Sequence, residues 1–256
     1  MPDLQTVALW GPSSSGKTAF LAQLYRQHSP DWSIYPTGDS LRFLELVSPF
    51  IESNRFPPAT VAPSSNENVD RVAYTFRENK SGREVALVVE DRPGQESEEL
   101  TDEAKNRFNE ALGLILLFDP ESEARALKNK IEWTLTRLNV AAGRGTTKDE
   151  RPIAICLSKS DRLIQTPNDL QRATEKPREF VLEKITAEIL LWLDRFCGNY
   201  ELFPISSVGV RLRHGVVEPM VFYDETLMLR MGSDGSPINL FRPFIWLFDR
   251  IKPVTR

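Results

Sequence analysis

The chain has 256 residues, 41% of them hydrophobic and 27% charged, and its formal net charge is −4, so no basic field draws it to nucleic acid or anionic lipid. Its start lacks the basic residues of a signal peptide, and its longest apolar run, Leu112 to Phe118, is too short to span a bilayer. The two cysteines, Cys156 and Cys197, fall on apolar segments. We therefore expect reduced core cysteines, a cytoplasmic protein, no transmembrane segment and no direct nucleic-acid binding.

The first predicted element is a short buried strand, Thr6 to Trp10, which leads through a glycine loop into an amphipathic helix. The loop fills every fixed position of the Walker A pattern G-x-x-x-x-G-K-[ST]. Loop amides and a helix N-terminus together attract phosphate, so we expect Lys17 to reach the β- and γ-phosphates and Thr18 to ligate Mg²⁺. A chance match in a flexible loop is the alternative. The candidate phosphate-binding residues are Gly11, Pro12, Ser13, Ser14, Ser15, Gly16, Lys17, Thr18 and Ala19.

A polar, proline-containing stretch at about residues 29–68 follows this helix. An apolar pattern from Leu41 to Ile51 predicts a short helix within it. Next, Val72–Phe76 and Val85–Val89 flank the turn-forming residues Asn79 to Gly82. This arrangement predicts two strands that pair as an antiparallel hairpin.

The rest of the chain alternates short apolar runs with apolar residues spaced three and four apart, the patterns of buried strands and amphipathic helices. The predicted strands are Leu114–Phe118, Ile153–Leu157 and Tyr200–Ile205, and the predicted helical faces are Ala124–Leu138, Leu182–Phe196 and Phe241–Ile251, the last with Asn239 as a candidate cap. The alternation predicts a three-layer αβα fold on a six-stranded, mostly parallel sheet with one antiparallel edge strand.

Two later segments interrupt this pattern. Arg162–Lys176 is polar and is predicted to be a loop, and the segment at about 210–235 is predicted to be an inserted hairpin or flap. Neither is large enough to form a second domain, so we expect residues 1–256 to form a single nucleotide-binding domain.

A second motif, Glu90-Asp91-Arg92-Pro93-Gly94-Gln95-Glu96, comes directly after a predicted strand. A phosphate loop needs a carboxylate at the end of a neighbouring strand to hold the magnesium shell, and Asp91 fits that role. Gly94 lets a backbone N–H approach the γ-phosphate, and Gln95 stands where its amide would orient the attacking water. An ordinary Pro-Gly turn in a solvated acidic run is the alternative.

Two further motifs follow the last two predicted strands. The carboxylate of Asp161 suits the two N–H groups of a guanine edge, which adenine does not offer, and the aliphatic stem of Lys159 can lie over the base. Amides of the loop after the last strand suit the guanine carbonyl. Each pattern alone also fits a surface loop, so the interpretation depends on the order of the motifs along the chain. The candidate base-binding residues are Ser158, Lys159, Asp161, Ser206, Ser207 and Val208.

These four motifs, in this order, resemble those of the Ras-like GTPases of the TRAFAC class of P-loop proteins. GPSSSGKT, DRPGQE, SKSD and ISSVG are similar to that family's phosphate loop, second switch, guanine motif and final base-contact loop. The long first switch and the tail Pro237-Ile238-Asn239 are similar to the bacterial double-GTPase group, whose members are thought to work beside a second GTPase. The resemblance covers about residues 4 to 251. It implies GTP and GDP as substrate and product, Mg²⁺ as cofactor, Asp91 for magnesium, Gln95 for hydrolysis, and a protein partner.

The chain departs from the family pattern at three places. Ser158 stands where the guanine motif usually begins with Asn or Thr, so weaker base affinity is expected. Ser207-Val208 replaces a common Ala-Lys pair. Ser13 occupies a loop position that is often glycine in Ras itself, where a side chain would crowd Gln95 or an incoming arginine.

The family also needs a threonine in the first switch to close over Mg²⁺ and the γ-phosphate. We choose Thr60, which lies upstream of the strand beginning at Val72, and keep Thr37 and Ser40 as rivals; an exposed loop residue is the alternative for Thr60. Arg55 and Arg92 are candidate arginine fingers, although a solvated surface arginine is the simpler interpretation of each.

The sequence therefore predicts slow hydrolysis of GTP to GDP, coupled to a switch in conformation that signals to a protein partner. Lys17, Thr60 and Gln95 are the predicted catalytic residues, and Thr18, Thr60 and Asp91 the predicted metal ligands. A nucleotide-dependent scaffold with little hydrolysis, an ATP-using P-loop enzyme, and a motility or polarity GTPase remain as alternatives.

Overall fold

The computed structural model describes residues 5–27, 29–37, 40–57, 72–89, 102–120 and 124–251. Seven strands in these ranges form one sheet, in the order β2-β3-β4-β1-β5-β6-β7. They are β1 (Gln5–Trp10), β2 (Trp32–Thr37), β3 (Val72–Glu78), β4 (Glu84–Val89), β5 (Gly113–Phe118), β6 (Asp149–Leu157) and β7 (Cys197–Pro204). Strands β4, β1, β5, β6 and β7 run parallel, and β3 is antiparallel to both of its neighbours. The predicted α/β sheet is confirmed.

The prediction of six strands is wrong by one. Strand β2 lies in the stretch expected to be mainly polar and pairs with β3 over six residues, from Trp32 opposite Glu78 to Thr37 opposite Ala73. It occupies the edge of the sheet, so the antiparallel strand β3 is the second strand and not the edge. Pro36 is tolerated there because an edge strand leaves one side without ladder hydrogen bonds.

Helices cover both faces of the sheet, as the αβα prediction requires. Helices α1 (Lys17–Tyr25), α2 (Ser40–Glu52) and α8 (Arg242–Arg250) share one apolar core, in which Phe20 stacks on Phe244. Helices α3 (Asp102–Glu110), α4 (Ala124–Ala141), α6 (Pro177–Leu182) and α7 (Ala187–Phe196) contribute to a second core on the other face. The strands alternate between the two: Val7 and Leu9 of β1 face the first core, and Ala8 and Trp10 the second.

Three helix predictions need correction. The expected loop Arg162–Lys176 contains a helix, α5 (Pro167–Glu175), which Thr166 and Asp169 cap reciprocally. The single helical face predicted from Leu182 to Phe196 is divided between α6 and α7. Asn239 does not cap α8, whose N-cap is Phe241. The side-chain amide of Asn239 donates instead to the carbonyls of Ala173 and Pro204.

A β-rich segment lies between β7 and α8. Strands β8 (Ser206–Arg213), β9 (Val216–Pro219) and β12 (Ser236–Ile238) form a three-stranded antiparallel sheet, and β10 (Val221–Tyr223) pairs with β11 (Leu229–Met231) in a separate hairpin. Cys156 and Cys197 are both buried and free, as expected. Over the ranges that the structure describes, no helix combines the length and the apolarity that a bilayer crossing requires.

Candidate functional site

The phosphate loop joins the end of β1 to the start of α1. Gly16 is the N-cap of α1 and has a φ of 83°, a conformation that a glycine adopts without strain. Lys17 is the first residue of the helix, and its ammonium donates to the carbonyls of Gly11 at 2.7 Å and Pro12 at 3.2 Å. The lysine is thus folded over its own loop, beside the amides that begin the helix.

The floor of this loop is packed so tightly that only glycine fits at its start. A Cβ at Gly11 would lie 2.5 Å from Ser15 Oγ and 2.7 Å from the carbonyl oxygen of Leu117. Ser15 is fully buried, and its hydroxyl has no hydrogen-bond partner among the described residues. Ser13 and Ser14, by contrast, are exposed at the rim of the loop. The loop therefore forms a close-fitting cradle of main-chain groups.

The base-binding candidates meet at the carboxyl ends of β6 and β7, the edge of a parallel sheet at which ligands usually bind. Asp161 is 3% exposed and lies in a short 3-10 helix, Ser160–Arg162. The Ser206 hydroxyl donates to Asp161 Oδ1 at 2.5 Å and accepts from the Gly209 N–H at 2.9 Å. Burial raises the pKa of Asp161, while the hydrogen bond from Ser206 and the charge of Lys159 partly oppose that rise.

Lys159 is held by an acidic residue from a third strand. Its ammonium lies 2.5 Å from Oδ2 of Asp119, which follows β5 and is 7% exposed. Lys159 itself has a positive φ of 52°, so the backbone turns sharply between β6 and the 3-10 helix. The ion pair fixes the direction of the lysine stem beside Asp161.

The phosphate loop and the base-binding residues open into the same cleft, which has a volume of about 180 Å³. Gly16, Ala19 and Phe20 contribute to its lining, and so do Asp161 and Ser206. Residues outside the four motifs complete the wall. They are Phe56, Arg162, Val221 and Leu229.

Comparison with known proteins identifies the family. A sequence model described as Double-GTPase 2 matches residues 5–208. The chain belongs to the Double-GTPase 2 family. No curated protein matches it.

Solved structures similar to this family member include several GTPases. The GTPase-like domain of Ski7 from S. cerevisiae, bound to GTP, is 12% identical with a TM-score of 0.51, over 98% of this chain and 51% of that one. The small GTPase Arl6 BBS3 from Trypanosoma brucei, with bound GppNp, is 13% identical with a TM-score of 0.42, over 96% of each chain. A GTP-binding protein from Sulfolobus solfataricus, in complex with GDP, is 16% identical with a TM-score of 0.40, over 80% and 47%. The chain thus spans only about half of two of these structures, and at these identities the likeness concerns the fold alone.

Within this Double-GTPase 2 chain, eight of the sixteen predicted nucleotide-binding residues line this one cleft: Gly16, Ala19, Ser158, Lys159, Asp161, Ser206, Ser207 and Val208. The Ser158 hydroxyl donates to the carbonyl of Phe118 at 3.1 Å, so it ties the ends of β5 and β6 together. Ser207 and Val208 lie at the start of β8 and line the cleft. The final base-contact loop is therefore continuous with a strand of the additional sheet.

The two rival candidates for the first-switch hydroxyl, Thr37 and Ser40, both form hydrogen bonds with Ala73 of β3. Thr37 Oγ1 donates to the carbonyl of Ala73 at 3.0 Å, and Ser40 Oγ both donates to that carbonyl at 2.6 Å and accepts from the Ala73 N–H at 2.7 Å. Thr37 ends β2, three strand positions from β1, which corresponds to roughly 14 Å. Neither residue lies at the phosphate loop.

Several predicted residues of the Double-GTPase 2 site lie outside the described residues, and their roles stay predictions. They are Thr60, Asp91, Arg92, Gly94 and Gln95. Arg55 is described; it is exposed, and its backbone forms a β-bridge with Arg230.

Sequence reasoning missed Asp119, Phe56 and the two hairpin residues of the cleft. Asp119 had a usable signal, because it directly follows an apolar strand at the edge where the other candidates lie. Phe56, Val221 and Leu229 had none: they come from segments far apart in the chain, and only the tertiary fold brings them together.

Proposed function

We propose that this chain binds GTP with Mg²⁺, hydrolyses it to GDP, and changes conformation to signal to a protein partner. Membership of the Double-GTPase 2 family supports GTP as the nucleotide. The single observation that carries the proposal is the shared cleft: Gly16 and Ala19 of the phosphate loop line the same cavity as Asp161. A guanine nucleotide, which joins phosphates to a base, matches a cavity lined by residues from both groups.

The proposed roles follow from the chemistry of each group. The loop amides and the Lys17 ammonium offset the charge of the phosphates. Asp161, oriented by Ser206, accepts from the guanine N–H groups, and the stem of Lys159 covers the base plane. The direction of Lys159 is set by its ion pair with Asp119. Arg162 lies on the same wall of the cleft.

The residues present fit magnesium by their donor chemistry. Mg²⁺ prefers oxygen ligands, and Thr18 offers a hydroxyl in the first turn of α1, directly after Lys17. Asp91 and Thr60 are proposed as the further oxygen donors. When bound, the ion would neutralise charge on the β- and γ-phosphates. Gln95 is proposed to orient the attacking water.

Calorimetry tests the binding proposal. With Mg²⁺ present, the parent should bind GTP and GDP at least tenfold more tightly than ATP, and Lys17→Ala should lose most of this affinity. Lys80→Ala is the matched control, because Lys80 is an exposed lysine in the turn between β3 and β4. Absence of binding by any purine triphosphate would reject the proposal, and equal affinity for ATP would favour the ATP-using alternative.

A single-turnover assay tests hydrolysis. Without an arginine supplied by a partner, turnover should be slow, on the order of 10⁻⁴ to 10⁻² per second, and Gln95→Leu should reduce it further. If Gln95→Leu hydrolyses GTP as fast as the parent, Gln95 has no catalytic role. If the parent binds GTP but shows no hydrolysis, the scaffold alternative holds. The name of the family supports a second GTPase as the signalling partner.

A further inference from the structure

The β10–β11 hairpin forms one side of the cleft, although it belongs to none of the four motifs. Val221 of β10 and Leu229 of β11 line the cavity together with Phe56. These three apolar side chains lie at the same cavity as Asp161 and Ser206, the residues proposed to read the base. The hairpin therefore bounds the nucleoside part of the proposed binding site.

The two faces of this hairpin are different. Val221 pairs with Met231, and Tyr223 pairs with Leu229, so these four side chains lie on one face. Met231 is 3% exposed in the core that α1 and α8 share, and Val221 packs against that core. Phe222 pairs with Arg230 on the opposite face and does not line the cleft. The face toward the cleft is thus anchored, while the other face points away from it.

The hairpin is joined to the predicted first-switch region, which spans about residues 29–68. The Met231 N–H donates to the carbonyl of Asn54 at 2.9 Å, and Arg55 forms an antiparallel bridge with Arg230. Phe56, the next residue, lines the cleft. The backbone of residues 54–55 therefore pairs with the edge of β11, and this pairing holds the hairpin against the segment that carries Phe56.

The turn of the hairpin is stiffened by one carboxylate. Asp224 accepts from the Thr226 N–H at 2.9 Å, the Thr226 hydroxyl at 2.6 Å and the Met228 N–H at 3.0 Å. It also accepts from Arg230 Nε at 2.5 Å. Because the turn and both strands are cross-linked in this way, the hairpin is built to move as a unit.

We infer that this hairpin, together with Phe56, is a cover that holds the nucleoside of bound nucleotide and slows its release. The inference rests on the proposed function, because it requires a nucleotide in the cleft. Opening the cover requires loss of the contacts of Val221 and Leu229 with the nucleoside and of the Asn54–Met231 hydrogen bond. Release of GDP is thereby coupled to the predicted first-switch region, in which Asn54 and Phe56 lie.

Release of radiolabelled GDP, chased with excess unlabelled GDP in the presence of Mg²⁺, tests the cover. Val221→Ala and Leu229→Ala should each release GDP about tenfold faster than the parent, which corresponds to about 1.4 kcal/mol, with association changed much less. Phe222→Ala is the matched control, a larger truncation on the same hairpin but on the other face. Leu229→Ile, which keeps the side-chain volume, should release GDP at nearly the parental rate.

A reversible tether gives a test in which one variant is compared with and without its cross-link, so that any effect of the substitutions themselves cancels. The Asn54–Met231 hydrogen bond makes Arg55 and Arg230 a non-hydrogen-bonded pair, with Cα atoms expected about 4.5 Å apart, within the range of a disulfide. The double variant Arg55→Cys/Arg230→Cys should release GDP several-fold more slowly when oxidised than when reduced. The two native cysteines are buried and should not interfere.

The outcomes separate this inference from the proposed function. If the parent binds no guanine nucleotide, the proposed function fails. If the parent binds GDP, but Leu229→Ala and the oxidised tether both release it at the parental rate, the cover is rejected while nucleotide binding stands. Equal acceleration by Phe222→Ala and Leu229→Ala would also reject it, because the effect would then be general loosening.

Discussion

In the proposed function, recognition of the base depends on how one buried carboxylate is presented. Asp161 is 3% exposed, and one of its oxygens already accepts from Ser206. A buried carboxylate that is incompletely paired is costly, so the two N–H groups of a guanine would restore hydrogen bonds that burial removed. Adenine cannot do this, because its corresponding edge presents an unprotonated nitrogen. The preference for guanine would therefore arise as much from the cost of leaving the buried carboxylate unpaired as from its electrostatic attraction to the base.

Exchanging the carboxylate for an amide should change the preferred base. In Asp161→Asn, one acceptor is replaced by an N–H donor, so GTP affinity should fall about 100-fold, as expected for charged hydrogen bonds in a buried site. Affinity for XTP should rise, because xanthine carries a carbonyl where guanine has an amino group. Calorimetry with both nucleotides provides the measurement, and Asp169→Asn, an exposed helix-capping carboxylate, is the control. Unchanged GTP affinity in Asp161→Asn would mean that this residue does not contact the base.

The affinity for GTP should also depend on pH in a way that Asp161 determines. Burial raises its pKa above the ordinary value of 3.8 in the free protein. The ionised form that accepts from guanine is therefore lost as the pH falls, at a higher pH than for an exposed aspartate. The ratio of GTP affinities of the parent and Asp161→Asn should decline on acidification; using the ratio removes the contribution of phosphate protonation. A ratio that stays constant from neutral pH down to pH 4 would contradict this role.

At the scale of elements, the closing helix is fixed by an arginine from the turn between β3 and β4. Arg83 donates from its guanidinium to the carbonyls of Phe248 at 2.7 Å and Ile251 at 2.5 Å. These carbonyls lie at the end of α8, where helix geometry leaves acceptors without intrahelical partners. The contact joins the hairpin at one side of the sheet to the helix that covers its first core.

Removing this contact should destabilise the fold. Arg83→Met keeps an unbranched apolar stem but loses both charge-assisted hydrogen bonds, so the free energy of unfolding should fall by about 2 kcal/mol. Urea denaturation followed by circular dichroism measures the change. Arg77→Met, an exposed arginine on β3 of the same hairpin, should stay within about 0.5 kcal/mol of the parent. If the free energy of unfolding falls equally in the two variants, the hydrogen bonds from Arg83 to the carbonyls of α8 do not stabilise the fold.

Elements with a strong apolar period were predictable, and those without one were not. The strand before the Walker A loop and the strand Leu114–Phe118 follow from uninterrupted apolar runs. Strand β2 was missed because Pro36 argues against a strand and an edge strand needs little apolar character. Helix α5 was missed because it has one buried residue, Ala173. Its sequence signals were confined to its start: the Thr166–Asp169 capping box and Pro167 at the first helical position.

For the molecule as a whole, the site depends on how distant parts of the chain converge. Gly16 and Ala19, Asp161 and Ser206 all follow strands that run parallel in the sheet, so their convergence could be predicted from order and fold class. The union of Phe56 with Val221 and Leu229 could not be predicted, because it depends on the hairpin packing against the chain after α2. The residues proposed to bind the nucleotide thus come from short local motifs. The apolar side of the cleft depends instead on packing between segments that are distant in the chain.

This convergence predicts that GDP should stabilise the whole fold and protect both walls of the cleft. At 100 times its dissociation constant, GDP should add about 2.7 kcal/mol to the free energy of unfolding, which corresponds to a rise in Tm of roughly 5 to 10 °C for a chain of this size. Hydrogen exchange should slow in the phosphate loop and also at the amide of Met231, whose bond to Asn54 holds the hairpin. Neither effect should appear when ATP replaces GDP at the same concentration. Neither should appear when GDP is added to the Lys17→Ala variant. If the phosphate loop is protected while Met231 exchanges at the same rate with and without GDP, the hairpin does not respond to the nucleotide, and the two walls of the cleft act independently.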